Sequence, residues 1–176
     1  ADLNLELARR SLVLLRNDGL LPLDTAIAHR VAVIGPNADD PHQMLGDWAG
    51  TSGQGPWMGE GHPRQLTETV LDGLRAVVPP DWTVTHARGC DIEVLLPDPA
   101  GATYPDGQPR PGVFSPAPLD EAVLAEAVEA AEASDVAVVV VGDTIALTGE
   151  TRSTATLELQ GGQVTLLDAI AATGTP

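Results

Sequence analysis

Glu150 is the residue of this chain whose setting most invites chemistry. It lies in the polar segment Asp143-Thr144-Ile145-Ala146-Leu147-Thr148-Gly149-Glu150-Thr151-Arg152-Ser153, directly after the apolar run Val136-Ala137-Val138-Val139-Val140-Val141-Gly142. The run is rich in β-branched residues and too short to cross a bilayer, which predicts a central parallel strand buried on both faces. In open α/β sheets, ligands collect beyond the carboxyl ends of such strands. The segment after the run therefore brings several hydrogen-bonding groups and one obvious acid to a candidate active-site edge. The other reactive residue types are less promisingly placed. Cys90 is the single cysteine and reads as a small buried hydrophobe, and His29, His42, His62 and His86 show no zinc spacing, so neither a metal nor a cofactor is expected.

The elements that must position Glu150 follow from periodicity. Leu5, Ala8, Leu12 and Leu15 share one helical face, and Asn17-Asp18-Gly19 supplies a stop. Val31-Ala32-Val33-Ile34-Gly35 predicts a short buried strand that Pro36-Asn37 ends. Thr67 is the expected N-cap of a helix whose Val70, Leu71, Leu74 and Val78 face the core, with Pro79-Pro80 forbidding continuation. Trp82 to His86 alternates like a strand. Residues 91–118 carry seven prolines, which predicts a surface loop without regular structure. A helix from Asp120 to Ala133 puts Leu124, Ala127, Val128 and Ala131 inward and Glu121, Glu129 and Glu132 in solvent; after the Glu150 segment, Gln163, Leu166, Leu167 and Ile170 line a last helix.

Strands alternating with helices predict an α/β fold, a three-layer αβα sandwich around a mainly parallel sheet. At 176 residues one domain, 1–176, is expected. The sequence stops at Thr175-Pro176, where a further strand is due, and starts as if in mid-chain, so the domain is expected to be incomplete at its C-terminus and part of a longer protein. A net charge of -16, with every basic side chain an arginine, repels a phosphate backbone and argues against nucleic acid as a partner. Aromatic residues at 3% are too few for a binding module that stacks sugars on several rings. No apolar run approaches the length of a membrane span.

Ala8-Arg9-Arg10-Ser11-Leu12-Val13-Leu14-Leu15-Arg16-Asn17-Asp18-Gly19-Leu20-Leu21-Pro22-Leu23, then Val31 to Ala38, then Leu45-Gly46-Asp47-Trp48, resembles the second domain of glycoside hydrolase family 3, whose typical members are β-glucosidases. The likeness continues through Thr69 to Leu74, Arg88-Gly89-Cys90 and Ala133 to Val136 into the Glu150 segment. The resemblance implies a retaining glycosidase that hydrolyses terminal β-linked sugars. A (β/α)8 barrel, absent from this sequence, would supply an aspartate nucleophile, and this domain would supply Glu150 as general acid/base. Trp48 falls near the family's aglycone side, where an aromatic plate can meet a sugar ring. The implied partners are a carbohydrate substrate and the N-terminal barrel, and the domain alone is expected to be inactive.

Leu157, Leu159, Gly161 and Gln163 match the rest of the family's loop, but two positions depart from it. Thr154 stands where an arginine is usual, with Arg152 two places earlier, and Gln160 replaces a proline. The alternative from another class is a noncatalytic α/β module binding a nucleotide or a protein through Gly35-Pro36-Asn37-Ala38. That turn lacks G-x-G-x-x-G, and its proline removes an N–H a phosphate would use.

Overall fold

The computed structural model describes residues 2–26, 28–45, 64–149 and 153–176. Helix α1 covers Asp2–Ser11, β1 Arg30–Ile34, α2 Val70–Val77, β2 Thr83–Ala87, β3 Glu93–Leu96, β4 Val113–Pro116, α3 Glu121–Glu132, β5 Val136–Val139 and α4 Gln163–Ala172. Strands β1, β2 and β5 form a parallel sheet in the order β2-β1-β5, with Arg30 beside Thr83 on one side and Val31 beside Val136 on the other.

Pleating sends alternate side chains of β1 to opposite faces, and each face is covered by helices. Val31 and Val33 pack with Leu71 of α2, while Ala32 and Ile34 pack with Ala127 and Ala131 of α3 and Leu166 and Ile170 of α4. Residues 31–34 are fully buried, and at about 1.5–3 kcal/mol per large aliphatic side chain they anchor both layers. The arrangement is the three-layer αβα sandwich expected. Among the described residues, no helix is long and apolar enough to cross a membrane.

Among the described strands the middle one is β1, and the valine run, β5, lies beside it with Val136 buried and Ala137, Val138 and Val139 half-buried rather than buried throughout. On its edge away from β1, the Ala137 N–H donates to the Pro176 carbonyl at 2.8 Å. An apolar run reports that a strand is covered on its faces and says nothing of its order in the sheet.

Local chemistry explains the helix starts. Thr69, rather than Thr67, caps α2: its hydroxyl accepts from the Asp72 N–H at 3.2 Å and the Asp72 carboxylate accepts from the Thr69 N–H at 3.1 Å. Arg64 bridges Asp39 and Asp72, both at 2.7 Å, and holds the Asp72 carboxyl down to about 2, with the Thr69 N–H adding to the effect. Asp120, the start of the expected helix, is the N-cap of α3 and accepts from the N–H groups of Ala122 and Val123.

Two segments differ from expectation. Residues 91–118 are not devoid of regular structure, because β3 and β4 pair antiparallel from Glu93 beside Pro116 to Leu96 beside Val113. The prolines are tolerated because Pro97 follows β3, Pro116 closes β4 and Pro118 lies beyond it, while the others fall between the strands. Helix α1 ends at Ser11, before the Asn17 turn, and buries no residue. Leu12 and Leu15 are 80% and 91% exposed, so the periodic face has no described partner to hold it helical.

Asp135 ties the starts of β1 and β5 together. One carboxylate oxygen accepts from the His29 and Arg30 N–H groups at 2.9 and 2.8 Å, and the other takes the Arg30 guanidinium at 2.7 and 3.2 Å. The Arg30 guanidinium, and then these two N–H groups, hold the Asp135 carboxyl well below the usual carboxylate range. A carboxyl depressed by folding contributes its stability above its unfolded value of about 3.9 and loses it as pH falls through the folded value. Asp135→Asn should therefore melt below the parent at pH 7, and the gap should close as the pH is lowered below about 4. A gap independent of pH in thermal melts would refute the ion-pair assignment.

Candidate functional site

The connections leaving β1 and β5 diverge to opposite faces of the sheet, β1 to α2 and β5 to α4, so the crevice beyond the carboxyl ends of these neighbouring strands is a topological switch point. Gly35 lets the two exits meet. It has φ +125°, and a Cβ there would drive into the Val140 carbonyl. The Gly35 N–H donates to Ala87 and the Ala38 N–H to Gly35, so two of the three amides of this turn are already bonded, and Pro36 has none to offer a phosphate. That counts against the nucleotide-binding alternative.

A polar depression opens at this end of the sheet, lined by Asn37, Asp40 and Gln43 after β1, Arg88 and Asp91 after β2, Glu93 at the start of β3, and Thr144 after β5. Side chains from the other exits hold the start of the segment leaving β5. Asn37 Nδ2 donates to the Asp143 carbonyl at 3.3 Å, Gln43 Oε1 accepts from the Ile145 N–H at 2.7 Å, and Thr144 Oγ1 donates to Glu93 Oε1 at 2.8 Å. Among the described residues, the buried atoms Asn37 Oδ1 and Glu93 Oε2 have no protein partner.

Burial pushes the Glu93 carboxyl up against the lowering bond from Thr144, and Asp40, Asp91 and Asp143 add repulsion in the same direction. A carboxyl raised by folding favours the native state while neutral and loses that contribution as pH rises through the folded value. Glu93→Gln keeps the acceptor for Thr144 and removes the charge. It should melt at the same temperature as the parent near pH 4 and above it at pH 8; a variant less stable at both would show that ionised Glu93 is favourably held.

The far end of the β5–α4 segment is fixed as closely. Gly161 has φ +64°, and its missing Cβ leaves room for the carbonyls of Asp91 and Ile92. The Gly162 N–H donates to the Asp91 carbonyl at 3.2 Å. Gln163 is fully buried; its Oε1 accepts from the Gly142 N–H at 2.8 Å and its Nε2 donates to the Gln160 carbonyl at 2.9 Å.

Of the predicted site residues, Glu150 and Trp48 lie outside the described residues, as do Arg152 and His62. The segments containing them leave from the ends of β5 and β1. Arg64 is taken up by Asp39 and Asp72. Cys90 is buried, and burial raises its thiol to about 11, in keeping with a packing role. Thr154 and Gln160, the two departures, line a shallow hollow beside Phe114 and Ser115 of β4, where Gln160 Nε2 donates to the Glu158 carbonyl at 2.9 Å. The roles of Asn37, Gln43 and Glu93 escaped sequence reasoning because their partners are distant in the chain. Gln163 was visible as a core position of α4 and as a match to the family's loop, but its bond to Gly142 was not.

A parallel αβα sandwich with polar groups gathered at its switch point defines a class of domain that holds ligands at the strand ends. Residues 12–176 match the glycosyl hydrolase family 3 C-terminal domain, and the chain belongs to that family. It is 35% identical over 98% of its length to a β-xylosidase of Formosa agariphila and 30% identical over 97% to a periplasmic β-glucosidase of Salmonella typhimurium. The chain spans about a fifth, 20%, of the length of each of these relatives. Among solved structures, it superposes with a TM-score of 0.92 and 53% identity on a β-glucosidase involved in saponin metabolism from intestinal bacteria, covering 99% of this chain and 23% of the other. A β-glucosidase from Erythrobacter marinus superposes at a TM-score of 0.64 with 28% identity, covering 97% of this chain and 22% of the other.

Proposed function

We propose that this chain is the sandwich portion of a retaining β-glycosidase, foremost a β-glucosidase, in which Glu150 is the general acid/base. The nucleophile is an aspartate of an N-terminal barrel in the same protein, and Trp48 offers its ring to the sugar. The observation that carries the proposal is topological. The segments containing Trp48 and Glu150 issue from neighbouring strand ends at the switch point of a family 3 C-terminal domain.

The chemistry needs two carboxyls about 5 Å apart, one attacking the anomeric carbon and one protonating the departing oxygen before activating water. A donor must keep its proton near neutral pH. Burial and neighbouring negative charge do this, and both act on Glu93 at the same end of the sheet. In the isolated chain Glu150 lacks the opposing nucleophile, so the domain alone is inactive.

Hydrolysis of aryl β-glucoside and aryl β-xyloside by the full-length protein, followed by proton NMR, tests this. The β-anomer of the sugar should appear first and equilibrate afterwards, with the glucoside the better substrate and no turnover by residues 1–176 alone. Release of the α-anomer first would refute retention, and no hydrolysis of either glycoside by the full-length protein would refute the activity.

A further inference from the structure

The segment between β5 and α4 is closed at its base by a single side chain. Gln163 is the first residue of α4 and 0% exposed, and its amide reaches in two directions. Oε1 accepts from the Gly142 N–H at 2.8 Å, just past the end of β5, and Nε2 donates to the Gln160 carbonyl at 2.9 Å, just before α4. One planar group thus ties Gly142, at the exit of the sheet, to Gln160, at the entry of the helix, and so links the two ends of the segment whose sequence includes Glu150.

Packing alone does not require an amide here. Gln163 joins Leu166 and Ile170 as the buried residues of α4, and an apolar side chain of equal length would fill that position without desolvating a polar group. Gln163 is not the cap of its helix either: the N-cap is Gly162, which makes no side-chain capping bond. The two bonds are directional, and direction is what a proton donor on this loop needs, since a displacement of about 1 Å can cost about a hundredfold in rate.

We propose that Gln163 is a positioning residue for proton donation, holding the span of the loop that presents Glu150. The proposal rests on the reading of Glu150 as the general acid. Leaving-group dependence separates it from a merely structural role. An alkyl glycoside departs as a basic alkoxide and needs the proton, whereas 2,4-dinitrophenolate departs without it.

In the full-length protein, Gln163→Met should lower kcat/KM for an alkyl β-glucoside about ten- to a hundredfold and for the dinitrophenyl β-glucoside by less than about threefold. A loss of folded enzyme lowers both equally, so equal losses, or none, would overturn the proposal. Gln163→Glu provides a second variant should the methionine form not fold. Its carboxylate keeps an acceptor for Gly142 but loses the donor to Gln160, and protonation restores an O–H donor, so its leaving-group split should shrink as the pH is lowered relative to the parent. A split that does not change with pH would count against Gln163 in the same way. Glu150→Ala assayed alongside distinguishes the two failures: a split there without one at Gln163 rejects only the positioning role, and no split at Glu150 rejects the donor itself.

Discussion

Glu150→Ala in the full-length protein should lower kcat/KM for an alkyl β-glucoside by about 10²- to 10⁴-fold, the usual contribution of general acid catalysis. The same substitution should leave formation of the glycosyl-enzyme from a dinitrophenyl β-glucoside close to the parent rate. Its hydrolysis by water should then become slow, because the group that activates water is missing. Values of kcat/KM on the two substrates, with a burst of dinitrophenolate in the variant, are the measurement. An equal loss on both substrates would place Glu150 outside proton transfer, and no loss on either would remove it from the site.

Gly161→Ala carries a large expected effect on stability. Its φ of +64° is left-handed, a conformation that costs an alanine roughly 1–2 kcal/mol. The added methyl also has nowhere to go, because the Asp91 and Ile92 carbonyls it would meet belong to backbone joining β2 to β3. Overpacking of that kind costs about 1–3 kcal/mol, for a total of about 2–5 kcal/mol out of the roughly 5–15 kcal/mol that holds a domain together. Gly174 is a control, with φ +75° and open space around it, so Gly174→Ala should lose only the conformational share. Denaturant midpoints compare the two, and equal losses would show that the carbonyls near Gly161 move aside.

The parts of the fold legible in the sequence are those that depend on near neighbours. The start of α3 at Asp120, its inward arc, the β1 and β2 strands and the buried positions 163, 166 and 170 of α4 are all set by residues within a turn or a strand of one another. The cap of α2 was misplaced at Thr67, because residue type alone does not separate it from Thr69, whose capping-box spacing to Asp72 decides the start. Strand order was not legible. Among the described strands β1 stands between β2 and β5, an order set by crossovers that periodicity does not encode. The β3–β4 ribbon was hidden by prolines that turn out to stand at strand ends or between the strands.

The candidate site divides in the same way. Its location past the valine run could be read locally, and the family pattern singled out Glu150. The side chains that hold the loop come from elsewhere: Asn37 and Gln43 from the β1 exit, Glu93 from β3, and Gln163 from α4. Each partner pair is far apart in sequence, so no spacing rule signals it.

The central claim, that this chain supplies the proton donor to a nucleophile held by another domain, is tested most directly by adding azide to Glu150→Ala in the full-length protein turning over the dinitrophenyl β-glucoside. Azide needs no general base and should attack the glycosyl-enzyme in place of water, restoring turnover and releasing β-glycosyl azide. An α-glycosyl azide would mark Glu150 as the nucleophile instead, and an azide-insensitive variant would contradict its role in either step.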